Sequence, residues 1–404
     1  MLLLDHKDKR LLLSLLSIAH SLNHSFFWIA SPLLLLITSD LGTSKTTMGL
    51  IGTVGSFIYG LGSLLAGSLA DRKNETYLVM LSSGLAGFST IMFLFAQDIN
   101  TYAAVFISMC IWTGLYHPAA NALISKAFSG EGTGEAMGIH GAGGTLGVAF
   151  TPILSLTIGL AFGWRLSFAV FGASAVITAT LFWKNRIHHV QSASKVKLLD
   201  IFRIPGLWLL LIFNFAIGLY MKSVELFLPT YLALGPLSIL DKNSAIFWAG
   251  ALATLMLLIG TFGQWLGGHQ TDVLGSKKVL IITCSTVLIG FLFLVLTQSS
   301  LWFVAVAAFI LLYGLAFYGH QPAFNSLAGF MTPIDRRGIV YGVLFFVSFG
   351  MGSISQAITG YLSDTIGITL AFYTLTLFAA SALILSFFIS DVRESPNQAN
   401  TRSQ

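Results

Sequence analysis

Long apolar runs follow one another along almost the whole chain, and short polar segments separate them. The hydrocarbon core of a bilayer is about 30 Å thick, so a helix of roughly 20 apolar residues crosses it. The pattern therefore predicts twelve membrane-spanning helices, which we call spans 1 to 12. They lie at about 11–38, 47–70, 77–97, 101–127, 133–160, 165–185, 206–234, 244–268, 278–297, 301–331, 336–362 and 368–390.

The longest hydrophilic interruption falls near the middle of the chain, at about 186–204. It divides the spans into an N-terminal half (1–186) and a C-terminal half (205–390), six helices each. The linker 187–204 alternates apolar and charged residues, which favours a short interfacial helix. The polar tail 391–404 is predicted to be a disordered cytoplasmic segment.

The two halves resemble each other. The segment that begins His117-Pro118 in span 4 returns as Gln321-Pro322 in span 10, at the matching place of its half. An internal repeat in a membrane protein is typical of secondary transporters whose site lies between the repeats. The predicted fold class is an all-α membrane protein with twelve transmembrane helices in two pseudo-symmetric six-helix halves.

Composition and charge narrow the class of protein. Charged residues make up 9% of the chain, against roughly 25% in soluble domains. If both termini are cytoplasmic, 17 of the 21 Lys and Arg residues fall on the cytoplasmic side, as the positive-inside rule requires. The net charge of +5 therefore indicates orientation in a cytoplasmic membrane and contact with lipid, and no nucleic-acid partner.

Two loop segments carry a recognisable motif. Gly67, Asp71 and Arg72 lie at the end of span 2 with the spacing Gly-x-x-x-Asp-Arg, and Gly268 and Asp272 lie at the end of span 8. Together they resemble the loop motif of the major facilitator superfamily, although polar residues at 74–76 replace its later glycine and basic positions. The resemblance extends over all twelve spans, and it implies that these five residues gate the two halves between access states.

A narrower resemblance rests on spans 4 and 5. Tyr116-His117-Pro118, together with the glycine-rich segment 138–147, is similar to the fosmidomycin-resistance-type drug exporters. That likeness implies export of a small organic or drug-like compound, with phosphonate-like anions among the candidates. The superfamily's antiporter motif has a proline at the position of Val148. Only the glycine spacing of that motif is present here, and it favours antiport.

Polar residues inside the spans are the candidate binding residues, because a charge at the membrane centre costs about 2.5–3.5 kcal/mol on insertion scales. The superfamily resemblance implies that spans 1, 4, 7 and 10 line a central cavity. The substrate-binding candidates on these spans are Asn23, His24, Trp28, Trp112, Tyr116, His117, Asn121, Lys222, Tyr313, Phe317, His320, Gln321 and Asn325.

Glu225 is the only acidic residue near the centre of any span, which makes it the candidate proton carrier, with His24 and His117 as coupling partners. The alternative is that Lys222 and Glu225, three residues apart on one helix, form a structural ion pair. The repeat leaves two alignments of span 1 with span 7 open. One alignment pairs His24 with Glu225, and the other pairs Trp28 with Glu225. His20 and His24 could ligate a metal, but span 1 offers no third ligand, so no metal site is predicted.

The predicted function is a secondary active transporter that works by alternating access, as a proton-coupled exporter. Proton-coupled uptake or facilitated movement of a small organic anion is the alternative, and a non-transporting membrane sensor is a third. Hydrolase motifs and a phosphate-binding loop are missing from the sequence, so neither an enzyme nor a cofactor is expected. One chain supplies both halves, which favours a functional monomer that binds substrate, protons and lipid.

Overall fold

The computed structural model describes residues 6–70, 75–128, 133–184, 198–298, 300–333 and 336–390. Every regular element in these ranges is helical, and fifteen α-helices are present there. They are α1 (His6–Trp28), α2 (Ala30–Asp40), α3 (Lys45–Ala70), α4 (Glu75–Ile91), α5 (Ile99–Thr113), α6 (Tyr116–Ala127), α7 (Thr133–Phe162), α8 (Trp164–Lys184), α9 (Leu207–Leu234), α10 (Lys242–Leu274), α11 (Ser276–Leu294), α12 (Trp302–Met331), α13 (Arg337–Phe345), α14 (Ile354–Thr365) and α15 (Ile368–Phe388).

These helices correspond to the twelve predicted spans. Span 1 is the bent pair α1–α2, span 4 is α5–α6, span 11 runs from α13 into α14, and each other span is a single α-helix. Within the described ranges, eleven helical segments are long and apolar enough to cross a bilayer, and the bent pair makes a twelfth. The prediction of an all-α, twelve-span membrane protein is confirmed.

Proline explains the two interruptions in the N-terminal half. Span 1 bends by about 40° between Trp28 and Ala30, and Pro32 lies four residues after Trp28. A proline ring clashes with the carbonyl four residues earlier and removes one helical hydrogen bond. Span 4 breaks in the same way at Gly114, four residues before Pro118.

The break in span 4 is stabilised by a neighbouring helix. Ser63 Oγ donates a hydrogen bond to Gly114 O at 3.2 Å, the carbonyl that Pro118 leaves without its helical donor. Span 10 carries the matching Pro322, yet α12 continues through it. The repeated motif therefore gives different backbones in the two halves.

Span 11 contains a wider turn. A π-helical segment at Phe346–Gly350 connects α13 to a 3₁₀ turn and then to α14. Gly218 of α9 lies against this segment, and a Cβ atom there would be 2.4 Å from Ser348 O. The absent side chain at Gly218 is thus what lets span 7 approach span 11 so closely.

The halves meet most extensively along two helix pairs, α3 with α14 and α7 with α10, and α2 also packs against α9. Lys45 Nζ lies 3.1 Å from Asp364 Oδ1, and Asp364 also accepts a hydrogen bond from the Thr46 amide at 2.8 Å. In the second pair, Ile153 N donates to Thr254 Oγ1 at 3.1 Å. The first of these contacts closes the end of the bundle that carries loop 41–44.

Several sequence predictions fall partly outside the described residues. Asp71 and Arg72 of the predicted gate are among them, as is the whole tail 391–404. Gly67 lies in α3, whereas Gly268 and Asp272 lie in α10. Of the predicted interfacial helix in the linker, only Leu198–Arg203 is described, and it is a 3₁₀ helix.

Candidate functional site

A cavity of about 170 Å³ lies between the two halves. Both halves contribute aromatic and polar side chains to its surface. The N-terminal wall includes His20, His24, Phe27, Trp28, Tyr59 and Thr145, and the C-terminal wall includes Glu225, Gln264, Tyr313, Phe317, Tyr318, Gln321 and Phe349. Such a volume is below the roughly 300–1,000 Å³ of sites for drug-sized ligands, so the cavity suits a small solute.

The C-terminal wall contains a buried ion pair. Lys222 Nζ lies 2.6 Å from Glu225 Oε2, and the two side chains are only 1% and 8% exposed. Glu225 lines the cavity, whereas Lys222 lies outside its lining. The ammonium also lies over the rings of Phe27 at 5.1 Å and Phe349 at 5.4 Å, which stabilises a cation through the negative faces of the rings.

Glu225 borders a second, much smaller cavity as well. This space of about 20 Å³ is also lined by Ser56 and Gln356, and it is large enough for one water molecule. Gln356 Nε2 donates to Lys222 O at 3.1 Å, while Gln356 Oε1 and Ser56 Oγ have no hydrogen-bond partner among the described residues. A water molecule there would satisfy both atoms.

Four histidines meet at the N-terminal wall, where His20 and His24 line the cavity and His117 and His140 lie behind them. The His20 ring centroid lies 4.8 Å from that of His24, 5.0 Å from that of His117 and 4.2 Å from that of His140. His24 and His117 are 4.9 Å apart by the same measure. Span 1 supplies His20 and His24 one helical turn apart, while spans 4 and 5 supply His117 and His140. We call this group the histidine cluster.

Two predicted binding residues instead fix span 1 to span 4. Asn23 Nδ2 donates to Thr113 O at 3.0 Å, a carbonyl left at the end of α5 by the break. Tyr116 is fully buried, and its hydroxyl donates to Leu16 O at 2.6 Å. Trp112 is partly buried and packs against the hydrophobic core. None of these three side chains lines the cavity.

Three further candidates also lie away from the cavity. Asn121 and Asn325, which occupy matching places in the repeat, are both exposed. His320 is buried, and its Nδ1 pairs with the carbonyl of Phe317 one turn earlier. The predicted candidates that do line the cavity are His24, Trp28, Glu225, Tyr313, Phe317 and Gln321. His24 and Trp28, the two residues that the open alignments pair with Glu225, both line the same cavity as Glu225. The structure is therefore compatible with either alignment.

Sequence reasoning missed a polar connection between the walls. Thr145 Oγ1 donates to Gln264 Oε1 at 3.2 Å, and Gln264 Nε2 lies 3.4 Å from Gln321 Oε1. Gln264 sits in span 8, which the family resemblance did not assign to the cavity. The signal was available, since a glutamine inside a long apolar helix is as costly to bury as the residues that were selected.

Comparison with known proteins identifies the family. The family model described as Major Facilitator Superfamily matches residues 16–356, so the chain belongs to that superfamily. A protein described as a probable L-galactonate transporter of Escherichia coli K12 is 26% identical over 394 residues, covering 88% of this chain and 82% of the relative. The hexuronate transporter of Bacillus subtilis 168 is 27% identical over 395 residues, covering 89% of each.

Solved structures support the same fold. A bacterial homologue of the human lysosomal transporter Spinster, inward-facing and unoccupied, superposes with a TM-score of 0.76 at 16% identity, covering 95% of this chain and 97% of that one. Membership of the superfamily makes the chain a multi-pass membrane transporter of small molecules. Because the L-galactonate and hexuronate relatives are described as transporters rather than enzymes, the prediction that the chain is not an enzyme is confirmed.

Proposed function

We propose that this member of the Major Facilitator Superfamily moves a small organic anion together with protons, by alternating access, and that Glu225 carries the proton. The observation that carries the proposal is the buried Lys222–Glu225 pair, whose carboxylate alone lines the cavity. The pair holds a cation just behind a group that a proton can neutralise. Those are the two elements that coupling of an anion to protons needs.

The coupling follows from charge balance. With Glu225 ionised, Lys222 is already compensated and an incoming anion is repelled. When Glu225 takes up a proton, the ammonium loses its counter-ion, and the carboxylate of a substrate can replace it. Proton and anion therefore strengthen each other's binding, and by linkage the effect is reciprocal.

The same charge balance disfavours movement of the proton alone, or of the anion alone, between the access states. The empty pair is neutral, and so is the site that holds both a proton and an anion. A site with only one of the two buries a net charge, which costs several kcal/mol in a low-dielectric interior. The doubly loaded and empty forms are thus the ones that can reorient at low cost.

The cavity surface suits a small hydroxylated acid. Gln264, Gln321 and Thr145 offer amide and hydroxyl groups, and Tyr313 and Phe317 offer ring faces. The similarity to proteins named as L-galactonate and hexuronate transporters points to the same class of substrate. We therefore favour a sugar-acid-like carboxylate over the phosphonate or drug-like compound that the narrower resemblance suggested.

Direction of transport follows from the coupling. Antiport, as expected for an exporter, requires that substrate and proton compete for one group, whereas an anion and a proton cooperate at this pair. Under an inward proton gradient the account therefore favours uptake over export. We further propose a monomer in the cytoplasmic membrane with both termini cytoplasmic, because one chain supplies both walls and the basic residues cluster on that side.

Flux into proteoliposomes under an imposed pH gradient tests this proposal. Labelled galactonate, glucuronate and galacturonate should accumulate when the lumen is alkaline, by roughly tenfold for each pH unit if one proton is coupled. Glu225→Gln should lose the accumulation but retain exchange of labelled for unlabelled substrate. Asp98→Asn is the control, because the Asp98 carboxylate caps α5 outside the bilayer. Flux that runs against the protons would establish antiport, and flux indifferent to the gradient would exclude proton coupling.

A further inference from the structure

Three histidines of the N-terminal half, two of them lining the cavity, have the arrangement of a metal site. Each of His20, His24 and His117 offers a ring nitrogen, and these atoms lie within 4.8 Å of one another. We propose that the three bind a divalent transition-metal ion of borderline softness, such as Zn²⁺, Co²⁺ or Ni²⁺. Imidazole nitrogen is a preferred ligand of these ions. Span 1 alone suggested no such site, because His117 comes from span 4.

The hydrogen bond of His20 favours ligation. His20 Nδ1 lies 2.7 Å from the backbone oxygen of His140, and a carbonyl can only accept. Nδ1 therefore carries the proton, and Nε2 keeps a free lone pair. A metal-ligating histidine usually donates its other ring N–H to a carbonyl or carboxylate in this way, which fixes both the tautomer and the ring orientation.

His117 provides a second, independent observation. Its Nε2 atom is buried, and no hydrogen-bond partner for it exists among the described residues. Buried polar atoms in native proteins are nearly always paired, so an orphan among them calls for an explanation such as an ion or a water molecule. A metal ion shared with His20 and His24 would supply the missing partner.

The distances require only a small contraction. Ligand nitrogens around a tetrahedral zinc ion are roughly 3.3 Å apart, given zinc–nitrogen bonds of about 2.0–2.1 Å. Closing the present spacing takes a shift of about 1.5 Å, which rotation of the imidazole rings can supply. His24 faces the cavity, so the fourth coordination position would open toward it and accept water.

The surrounding charges permit a cation here. Glu225 lines the same cavity as His20 and His24, and its charge is shared with Lys222. The other rings packed against the three ligands carry no fixed charge: Tyr116 and His140 stack on His20, and Tyr59 contacts His117 by its ring edge. This inference is independent of the proposed function, since it does not require that the chain transport an anion or a proton.

Cobalt titration of the full-length protein tests the site. Protein purified in detergent and freed of any histidine tag is titrated with Co²⁺, whose visible absorption is strong only in tetrahedral coordination. We expect saturation at about one ion per chain, bands that excess Zn²⁺ abolishes, and binding at least about tenfold weaker in His117→Gln. His24→Gln should weaken binding similarly, so the test survives if one variant fails to fold.

The linker supplies a matched control. His188 and His189 are adjacent in the sequence and are the most obvious rival cobalt ligands. The double variant His188→Gln/His189→Gln should leave the tetrahedral bands unchanged. Bands that persist in both cluster variants, bands that disappear in the linker variant, or no tetrahedral bands in the wild-type protein would each overturn the proposal.

Discussion

The two walls of the cavity descend from matching halves of one repeat, yet they carry different chemistry. The N-terminal wall presents the imidazole rings of His20 and His24. The C-terminal wall presents a fixed ion pair, Lys222 with Glu225, at 2.6 Å. His117 and Gln321 stand at the same position of the repeated motif, but only Gln321 lines the cavity.

This difference shows that the two halves share the arrangement of their helices more than the chemistry of the side chains facing the cavity. The prolines Pro118 and Pro322 and the exposed Asn121 and Asn325 are shared between the halves. The groups that could bind a charge are not shared. In the proposed function the proton and the anion both act at the Lys222–Glu225 pair of the C-terminal wall, so the N-terminal wall need not repeat that chemistry.

Removing the cation of the C-terminal wall should have the largest effect on stability. Lys222→Met leaves Glu225 without a counter-ion, which costs about 3–5 kcal/mol for a buried carboxylate. The protein can reduce that cost by keeping Glu225 protonated, and holding a proton becomes harder by about 1.4 kcal/mol per pH unit as the pH rises. Thermal unfolding in detergent should therefore show a loss of stability that is greater at alkaline than at acidic pH.

The matched control for this prediction is the neutral double variant Lys222→Met/Glu225→Gln. Replacing both members of a buried pair is often close to neutral, so most of the stability should return and its pH dependence should disappear. Equal stability of the single and double variants would show that the two residues do not form a charged pair in the folded protein.

Adding a methyl group to the N-terminal wall should lower the stability of the protein by a smaller amount. A Cβ atom at Gly144 would lie 2.5 Å from Cε1 of His20, a ring already held by the His140 carbonyl. Gly144→Ala should therefore cost about 1–3 kcal/mol, as overpacking does. Gly141→Ala, one turn earlier and with nothing within 4 Å, should be neutral or stabilising, because alanine favours the helix by about 0.8–1.0 kcal/mol. Melting temperatures of both variants in one detergent measure the contrast, and similar losses would refute it.

Removing the hydrogen bonds between the walls should have a still smaller effect, which falls on the affinity for substrate. Gln264→Ala removes the hydrogen bonds to Thr145 and Gln321, each worth about 0.5–1.5 kcal/mol. The dissociation constant of a transported sugar acid should rise about two- to tenfold, measured by calorimetry on the purified protein. Gln97→Ala, at an exposed position, serves as control. An unchanged affinity would place Gln264 outside the binding surface.

Weakening the Lys45–Asp364 contact should have the smallest effect, which falls on the equilibrium between the access states. Lys45 and Asp364 are about a quarter exposed, so Asp364→Asn should cost no more than about 1 kcal/mol. That cost shifts the access equilibrium by up to about fivefold. Labelling of Thr53→Cys with an impermeant thiol reagent measures the shift, because Thr53 of α3 is partly buried against the other half, where its Oγ1 donates to Ser353 O. The two native cysteines are buried and give little background.

Asp241→Asn removes a carboxylate that caps α10 outside the interface between the halves, where hydrogen bonds from Ser244 lower the pKa of Asp241. Labelling should remain at the wild-type level in that variant. An increase in both variants would mean that the labelling reports general loosening rather than opening of this contact.

The spans and the ion pair could be predicted from the sequence for clear physical reasons. A backbone in lipid must satisfy its own hydrogen bonds, so apolar runs of sufficient length become helices. The three-residue spacing of Lys222 and Glu225 is a property of one helix and needs no tertiary information. The break at Gly114 was missed, although Pro118 was in view.

The inward face of each span was much harder to predict. Lipid tails are as apolar as a protein core, so hydrophobic periodicity does not mark which side of a membrane helix faces its neighbours. Asn121 and Asn325 were therefore assigned to the cavity although both are exposed. The meeting of His117 with His20 depends on how α6 is placed after the break in span 4, which no local pattern encodes.

Proton uptake on substrate binding tests the central claim most directly. The protein is placed in weakly buffered detergent solution near neutral pH, a sugar acid such as glucuronate is added, and the pH change is recorded beside the amount bound. Coupling at the Lys222–Glu225 pair predicts uptake of about one proton per bound anion, and none in Glu225→Gln. Binding without proton uptake in the wild-type protein, or release of protons, would contradict the account.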